Sequence, residues 1–487
     1  MDPYDPPLDT ARHLRYWQRC IRTLLPHHYT SMDSTRLSLG FFIVCSIDLL
    51  TSTKDEDTTT TTTTTTTTKP LLTPIDRANL RRWVLSCQHP LGGFTGSPTH
   101  VFAPQYQQSD TENAHIGGTY FALLLLALLS ADDDASAASA FAGVDRVATL
   151  RWLRRLQRSE DGSFGEIVYD APSIPGGRQA GEKESVIAGG KDMRYSYLAA
   201  AVRWMLRGDL PPSHPEYVED IDVPALMAHI RRGQTYDGGF AESCAHESHA
   251  GYGYCAVAAL ALLDRPLEGG GGEGNASKAV QEGIADRKGF VGWLASRQFA
   301  YLAGESEAGD EDEDDDDPAT ANFRLAELSL SDSVTMPQFI GFNGRCNKVA
   351  DTCYTWWTLG SLAVLNLPDA PDAAAVQAQR QFLLEKTQHI IGGFGKHPGS
   401  PPDVGHACLG LAALATMGDP ALKKLDASLC VSVEAVKKVE KARRGLLKGA
   451  EGGEKDVDGP KRRLGDRLVD TAARMGGGRP EWLDAMA

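Results

Sequence analysis

A short block recurs along this chain: a glutamine, a loop, and then Gly-Gly-Phe or Gly-x-Phe. It stands at residues 88–94 (QHPLGGF), 157–164 (QRSEDGSF), 234–240 (QTYDGGF) and 388–394 (QHIIGGF). A fifth copy is split, with Gln298 before a run of acidic residues and Gly341-Phe342 after it. An amphipathic stretch leads into each glutamine. A run of small and apolar residues follows each phenylalanine, at 120–129, 195–206, 254–263, 354–365 and 407–417. One helix–turn–helix unit cannot bury its own apolar face, so such units must stack. The glycines supply a tight turn after a helix and the phenylalanine returns to the core. The second helix is apolar most of the way round, which requires burial on both sides. An inner ring of helices inside an outer ring meets that requirement. The expected fold is therefore all-α, an α/α barrel of about six helical hairpins. An open α-solenoid serving only as a scaffold satisfies the repeats equally well.

Length alone argues differently: 487 residues at about 150 per domain suggest three domains. Low-complexity tracts account for the excess. They are a threonine tract near 51–69, a Gly-rich stretch near 266–277, and an acidic run near 303–318. None can bury enough apolar surface to order itself. The barrel is expected over residues 11–430, and a charged, Gly-rich, disordered tail over 431–487. The charge sum of 49 basic against 64 acidic residues leaves a net −15, much of it in the acidic run. No basic face for nucleic acid is expected. The longest apolar run, 120–129, falls short of the ~20 residues that span a bilayer, so the chain is not expected to be an integral membrane protein. The first ten residues lack a signal-peptide pattern, and nine scattered cysteines suit free thiols in the cytoplasm.

Two segments carry the chemistry: residues 341–357 (GFNGRCNKVADTCYTWW) and 403–408 (DVGHAC). Asp351, Cys353 and His406 offer a carboxylate, a thiolate and an imidazole, a three-ligand set for Zn²⁺ with a fourth position open. Residues two apart do not share a helix face, so Asp351 and Cys353 converge only at an irregular first turn, with Asp351 as N-cap. Asp403 is placed to cap the helix that begins with His406. Read without chemistry, both aspartates are only caps, Cys353 is core and His406 is a buried histidine. Arg345 and Lys348, just ahead of the same helix start, suit a phosphate anion. His249 opens the preceding repeat's apolar helix and can reach the same end of a barrel.

With these residues the chain resembles protein prenyltransferase β subunits over about 13–417, insertions excluded. The block Gly-Arg-x-Asn-Lys-x-x-Asp-x-Cys-Tyr is matched at 344–354 and the second metal segment at 403–406. The resemblance implies a six-hairpin barrel bound to a helical α subunit. It implies one Zn²⁺ held by Asp351, Cys353 and His406, and a diphosphate pocket of His249, Arg345, Lys348 and Tyr354, with Trp357 lining the lipid cavity. Trp356 is expected to pack outward.

Within the family, the segment 29–42 resembles type I geranylgeranyltransferase β subunits. Ser38 matches a position that is tryptophan in the farnesyl enzyme, which leaves room for a C20 lipid. Lys396 matches a Mg²⁺-binding aspartate of the farnesyl and Rab enzymes. A lysine there, as in the type I enzyme, implies turnover without Mg²⁺. His115, Gly117, Arg194, Tyr195 and Leu409 match positions near the CaaX peptide. Gly117 and Leu409 depart from the alanine and phenylalanine of the type I pattern. The implied activity is transfer of a geranylgeranyl group from geranylgeranyl diphosphate to the cysteine of CaaX proteins, such as Rho-type small GTPases. Farnesyl- and Rab-type β subunits are the alternatives, with a non-catalytic scaffold as the alternative of a different class.

Overall fold

The computed structural model describes residues 6–51, 70–98, 113–171, 184–268, 277–301, 339–367 and 373–452. The acidic run lies outside them, as do nearly all of the threonine tract and most of the Gly-rich stretch. Helices come in outer–inner pairs along the chain. They are α1 (Thr10–Arg22) with α2 (Arg36–Leu50), α3 (Pro74–Ser86) with α4 (Ile116–Leu129), and α5 (Arg146–Arg155) with α6 (Met193–Leu206). Then follow α7 (Val223–Arg232) with α8 (Ala250–Leu263), α9 (Arg287–Ala295) with α10 (Thr352–Val364), and α11 (Ala373–Gln381) with α12 (Val404–Thr416). The even-numbered helices pack in order, α2 on α4 and so on to α10 on α12, and α12 packs back on α2. The ring is closed: a barrel rather than an open solenoid.

The repeat block is what fastens neighbouring hairpins. In each copy the glutamine and phenylalanine form a β-bridge, and the split copy does so as well, with Gln298 paired to Phe342 in a two-stranded ribbon. The split copy thus keeps the same glutamine–phenylalanine pairing on either side of the insertion. Gln88 Oε1 accepts from the Asp145 N–H, Gln157 Oε1 from Asp222, and Gln234 Oε1 from Asp286. Each of these aspartates is the N-cap of the next outer helix. The last copy closes the circle, because Gln388 Oε1 bonds His13 Nε2 of α1 at 2.9 Å. The turn glycine is equally constrained. A Cβ on Gly392, at φ +90°, would lie 2.6 Å from the Arg12 carbonyl oxygen, and one on Gly92, at φ +107°, would lie 2.2 Å from that of Ala148.

The segment from 431 corrects the expected tail. Val431 and Ser432 form a short strand, and Val433–Gly452 is a helix, α13, packed on α4 and α6. Val436, Val439 and Ala442 recur every three residues and are buried. Two of its charges are buried as well. Lys438 Nζ donates to the Ser130 carbonyl at the end of α4, and Arg443 donates to the Trp204 carbonyl near the end of α6. Cations at helix C-termini meet both the unpaired carbonyls and the dipole. The remainder of the expected tail, 453–487, lies outside the described residues. No helix among the described residues is long and apolar enough to cross a membrane.

Candidate active site

The inner helices all begin at one mouth of the barrel, and a hydrogen-bond pattern shows it. The Leu37 N–H in the first turn of α2, and the first N–H of α4, α6, α8 and α10, donate in turn to the carbonyls of residues 96, 166, 242, 344 and 396. Each acceptor stands two residues past the phenylalanine of the next repeat. The last inner helix, α12, is met from the first hairpin instead, where the Tyr29 hydroxyl accepts from Val404 N–H. The five helix starts after α2 are capped by side chains: His115, Asp192, His249, Asp351 and Asp403. The mouth is therefore a ring of helix N-termini lined with imidazoles and carboxylates.

Three of the predicted residues meet there. Asp351 stands in an extended conformation as the cap of α10, and its Oδ1 accepts from the Cys353 N–H at 2.7 Å. Its Oδ1 is 3.2 Å from His406 Nε2 in the first turn of α12. One ligand atom from each of Asp351, Cys353 and His406 lies within 4.8 Å of the others. Tetrahedral bonds of zinc length need ligand atoms roughly 3.3–3.8 Å apart, so a small contraction suffices. The donor set of carboxylate, sulfur and imidazole nitrogen is one that suits a metal ion such as Zn²⁺.

Asp403, read from sequence only as a cap, does more. One of its oxygens accepts from the His406 N–H at 2.9 Å, and the other accepts from Nδ1 at 2.5 Å. That bond leaves Nε2 facing Asp351, the outer support a ligating histidine requires. Burial opposes charge on His406, but Asp351 and Asp403 outweigh it and hold its pKa up at about 9. Both aspartates titrate low despite burial, because His406 bonds them. Burial pushes the Cys353 thiol well up, and Asp351 beside it adds to that.

The neighbouring corner is built from α8 and the segment before α10. His249 Nδ1 accepts from the Gly251 N–H at 3.1 Å, which leaves Nε2–H to donate to the Tyr354 hydroxyl at 3.1 Å. Burial, then Arg345, lowers its pKa to about 4, so the ring is neutral at pH 7. A Cβ on Gly344 would fall 2.2 Å from the Tyr354 ring, which explains a glycine at that point of the block. Arg345 pairs with Glu247 at 3.0 Å in an exposed bridge that an incoming anion can displace. Lys348 is half-buried, and its carbonyl is held by Asn343 Nδ2 at 2.9 Å.

Of the other predicted residues, Lys396, Ser38, His115, Gly117, Arg194 and Tyr195 stand at or beside helix starts of the same mouth. The Lys396 carbonyl accepts from Thr352 N–H, which places its backbone beside the α10 start. Ser38 donates to the Thr35 carbonyl at 2.6 Å in the first turn of α2. His115 caps α4 and its Nε2 lies 3.3 Å from the Ser34 carbonyl; Gly117 follows in the same first turn. Arg194 is engaged by Asp192, with Nε 3.0 Å from each of its carboxylate oxygens, and the Tyr195 hydroxyl donates to Glu166. Leu409 lies partly buried on α12.

Below the mouth, aromatic rings line the inner helices one after another. Phe41 and Tyr120 are 6.3 Å apart, Tyr120 and Tyr197 5.5 Å, Tyr197 and Tyr254 5.6 Å, and Tyr254 and Trp357 5.1 Å. Trp357 is partly exposed, whereas Trp356 is fully buried. Sequence reading missed Tyr252 as well, whose ring lies 5.1 Å from His249 and 6.0 Å from the Arg194 guanidinium. Its place one turn after a capping histidine was the available signal.

A closed six-hairpin toroid whose mouth joins an Asp-Cys-His cluster to a cationic corner defines a class of helical-barrel proteins with a metal-competent site. The chain matches the family described as "Prenyltransferase alpha-alpha toroid domain" over residues 8–431, and it belongs to that family. It is 27% identical over 445 residues to the geranylgeranyl transferase type-1 subunit beta of Arabidopsis thaliana, covering 87% of this chain and 91% of that protein. It is 23% identical over 430 residues to the protein farnesyltransferase subunit beta of Pyricularia oryzae, covering 84% and 63%. The solved Candida albicans protein geranylgeranyltransferase-I complexed with GGPP shares the fold, with a TM-score of 0.60 and 24% identity over 90% of this chain and 99% of that one.

Proposed function

We propose that this chain is the catalytic β subunit of a cytoplasmic protein geranylgeranyltransferase type I. It would transfer a C20 group from geranylgeranyl diphosphate to the cysteine of CaaX proteins such as Rho-type small GTPases, in complex with an α subunit. The observation that carries this reading is adjacency. The zinc-competent cluster and the cationic corner share helix α10, which gives Cys353 to one and Tyr354 to the other.

Asp351, Cys353 and His406 would hold Zn²⁺, whose charge keeps the acceptor cysteine as a thiolate at neutral pH. Asp403 fixes the His406 ring so that Nε2 points inward. On the other side, Arg345, Lys348, the Tyr354 hydroxyl and neutral His249 receive the diphosphate. As the C1–oxygen bond breaks, negative charge grows on the leaving diphosphate, and fixed cations and donors there lower the barrier. The rings of Tyr120, Tyr197, Tyr254 and Trp357 shelter the lipid and favour positive character at C1. Ser38 is small enough to admit the fourth isoprene unit. Lys396 supplies the charge that removes the need for Mg²⁺. His115, Gly117, Arg194, Tyr195 and Leu409 are assigned to the peptide side.

Co-expression with a candidate α subunit, followed by C15 and C20 competition for a Leu-terminated CaaX peptide without Mg²⁺, tests this. Preferential C20 transfer is expected. Preferential C15 transfer would replace the reading with the farnesyl type. Absence of near-stoichiometric zinc in the heterodimer would leave a scaffold.

A further inference from the structure

Cys346 is an exposed thiol within the loop that carries Arg345 and Lys348. Beneath it lies Arg297, only 6% exposed. A buried guanidinium keeps its charge and needs partners for five N–H groups. Arg297 has few. Its Nη2 donates to Ser296 Oγ at 3.1 Å and to Cys346 Sγ at 3.4 Å, and its plane stacks on Trp293 at 4.7 Å. Its Nε and Nη1 are buried without a hydrogen-bond partner among the described residues, and neither of these two partners of its Nη2 is a carboxylate. The one partner able to take on negative charge is the sulfur. The thiol therefore sits in the electropositive, solvent-reached setting in which reactive cysteines occur. The loop is also held in shape, by Asn343 bonded to the Lys348 carbonyl and by Asn347 at φ +60°.

We propose that Cys346 is a modification site for small anionic disulfides, and that the adduct closes the cationic pocket between Arg345 and Lys348. The thiolate of Cys346 attacks one sulfur of the disulfide. The reagent's S–S bond breaks, a new Sγ–S bond forms, and the other half departs as a thiolate that takes up a proton. Cys346 is oxidised and the reagent is its oxidant. Carboxylates on the bound half then lie between Arg345 and Lys348, where the diphosphate would sit. This second half rests on the diphosphate reading above.

The test uses the zinc-loaded heterodimer, in which Cys353 is engaged, with glutathione disulfide as the anionic probe and bis(2-hydroxyethyl) disulfide as the neutral one. Peptide mass spectrometry follows each site, and exposed Cys244, which no guanidinium bonds among the described residues, is the internal reference. Cys346 should react with glutathione disulfide about tenfold faster than Cys244, and the excess should shrink as salt rises, since screening weakens the approach of an anion. Arg297→Met should bring Cys346 down to the Cys244 rate. If that variant does not fold, the anionic-to-neutral ratio and its salt dependence in the unaltered protein decide the matter. Equal rates at Cys346 and Cys244, with no preference for the anion, overturn the site. The adduct should weaken geranylgeranyl diphosphate binding about tenfold, with recovery on adding dithiothreitol and no effect on Cys346→Ser. Rapid adduct formation with unchanged binding overturns the blocking half. Failure of the diphosphate reading itself shows separately, as unmodified Lys348→Ala binding the diphosphate like the parent protein.

Discussion

Two histidines begin inner helices at the same mouth, and their surroundings give them opposite character. His249 caps α8 with Nδ1, gives its Nε2 proton to Tyr354, and is kept neutral by burial and by Arg345. His406 lies in the first turn of α12, between Asp351 and Asp403, and is held cationic up to pH about 9 in the metal-free chain. The scaffold is the same in both places, a helix start after a repeat turn. What differs is the charge of two or three neighbours. Carboxylates convert the helix start into a cation site, and guanidinium and ammonium groups extend its natural preference for anions.

The comparison is broken most completely at the metal-competent corner. Cys353→Ala or His406→Ala should remove stoichiometric zinc and lower transfer by about 10³-fold, because the acceptor thiolate loses its stabilising charge. Elemental analysis and single-turnover transfer check both parts. Retention of zinc by the double variant would show that the corner is not a metal site. The opposite corner is broken by Arg345→Ala with Lys348→Ala. Each should weaken prenyl diphosphate binding by about 10- to 100-fold while zinc content stays unchanged. The affinity that remains should depend less on salt.

The smaller Asp403→Asn change sharpens the contrast. Asparagine is as good an N-cap as aspartate, so α12 keeps its start. The ring of His406 loses a charged partner, and zinc affinity should fall about 10- to 100-fold with little loss of folded stability. Chelator competition measures the first and thermal melting the second. A collapse of stability would mean that Asp403 acts mainly as a cap.

Much of this was legible because the repeats spell out their own joints. The Gln and Gly-Gly-Phe positions encode the bond from each turn to the next outer helix, and the split copy keeps its Gln298–Phe342 pairing across the insertion. The first hairpin was harder, since no such block joins α1 to α2. His13 reveals its place only when Gln388 is seen to bond it. The helix after 432 was misread because Lys438 and Arg443 count as surface charges in a sequence and as carbonyl partners in three dimensions. At the site, Asp351, Cys353 and His406 could be named from residue type. The orienting bond from Asp403 and the buried guanidinium of Arg297 could not, because both depend on which side chain faces which.

The finest test of the two corners is their pH dependence. In the metal-free fold His406 holds its proton to about pH 9, against about 6.5 when unfolded. A raised pKa of this kind contributes its full stability below pH 6.5 and loses it as pH climbs through 9. Zinc binding reverses that dependence, since the ion must displace the His406 proton and that of Cys353, also held high. The gain in melting temperature on adding zinc should therefore grow steadily from pH 6.5 to 9, with affinity rising by up to about tenfold per unit for each proton released. Asp351 and Asp403 titrate below this window and leave it unaffected. At the other corner, His249 is already neutral above about pH 4, so its contribution to diphosphate binding should change less than about twofold between pH 6 and 8. Binding that falls with rising pH in that range, and does so no longer in His249→Asn, would show that His249 carries charge and that the two corners are less different than their neighbours imply.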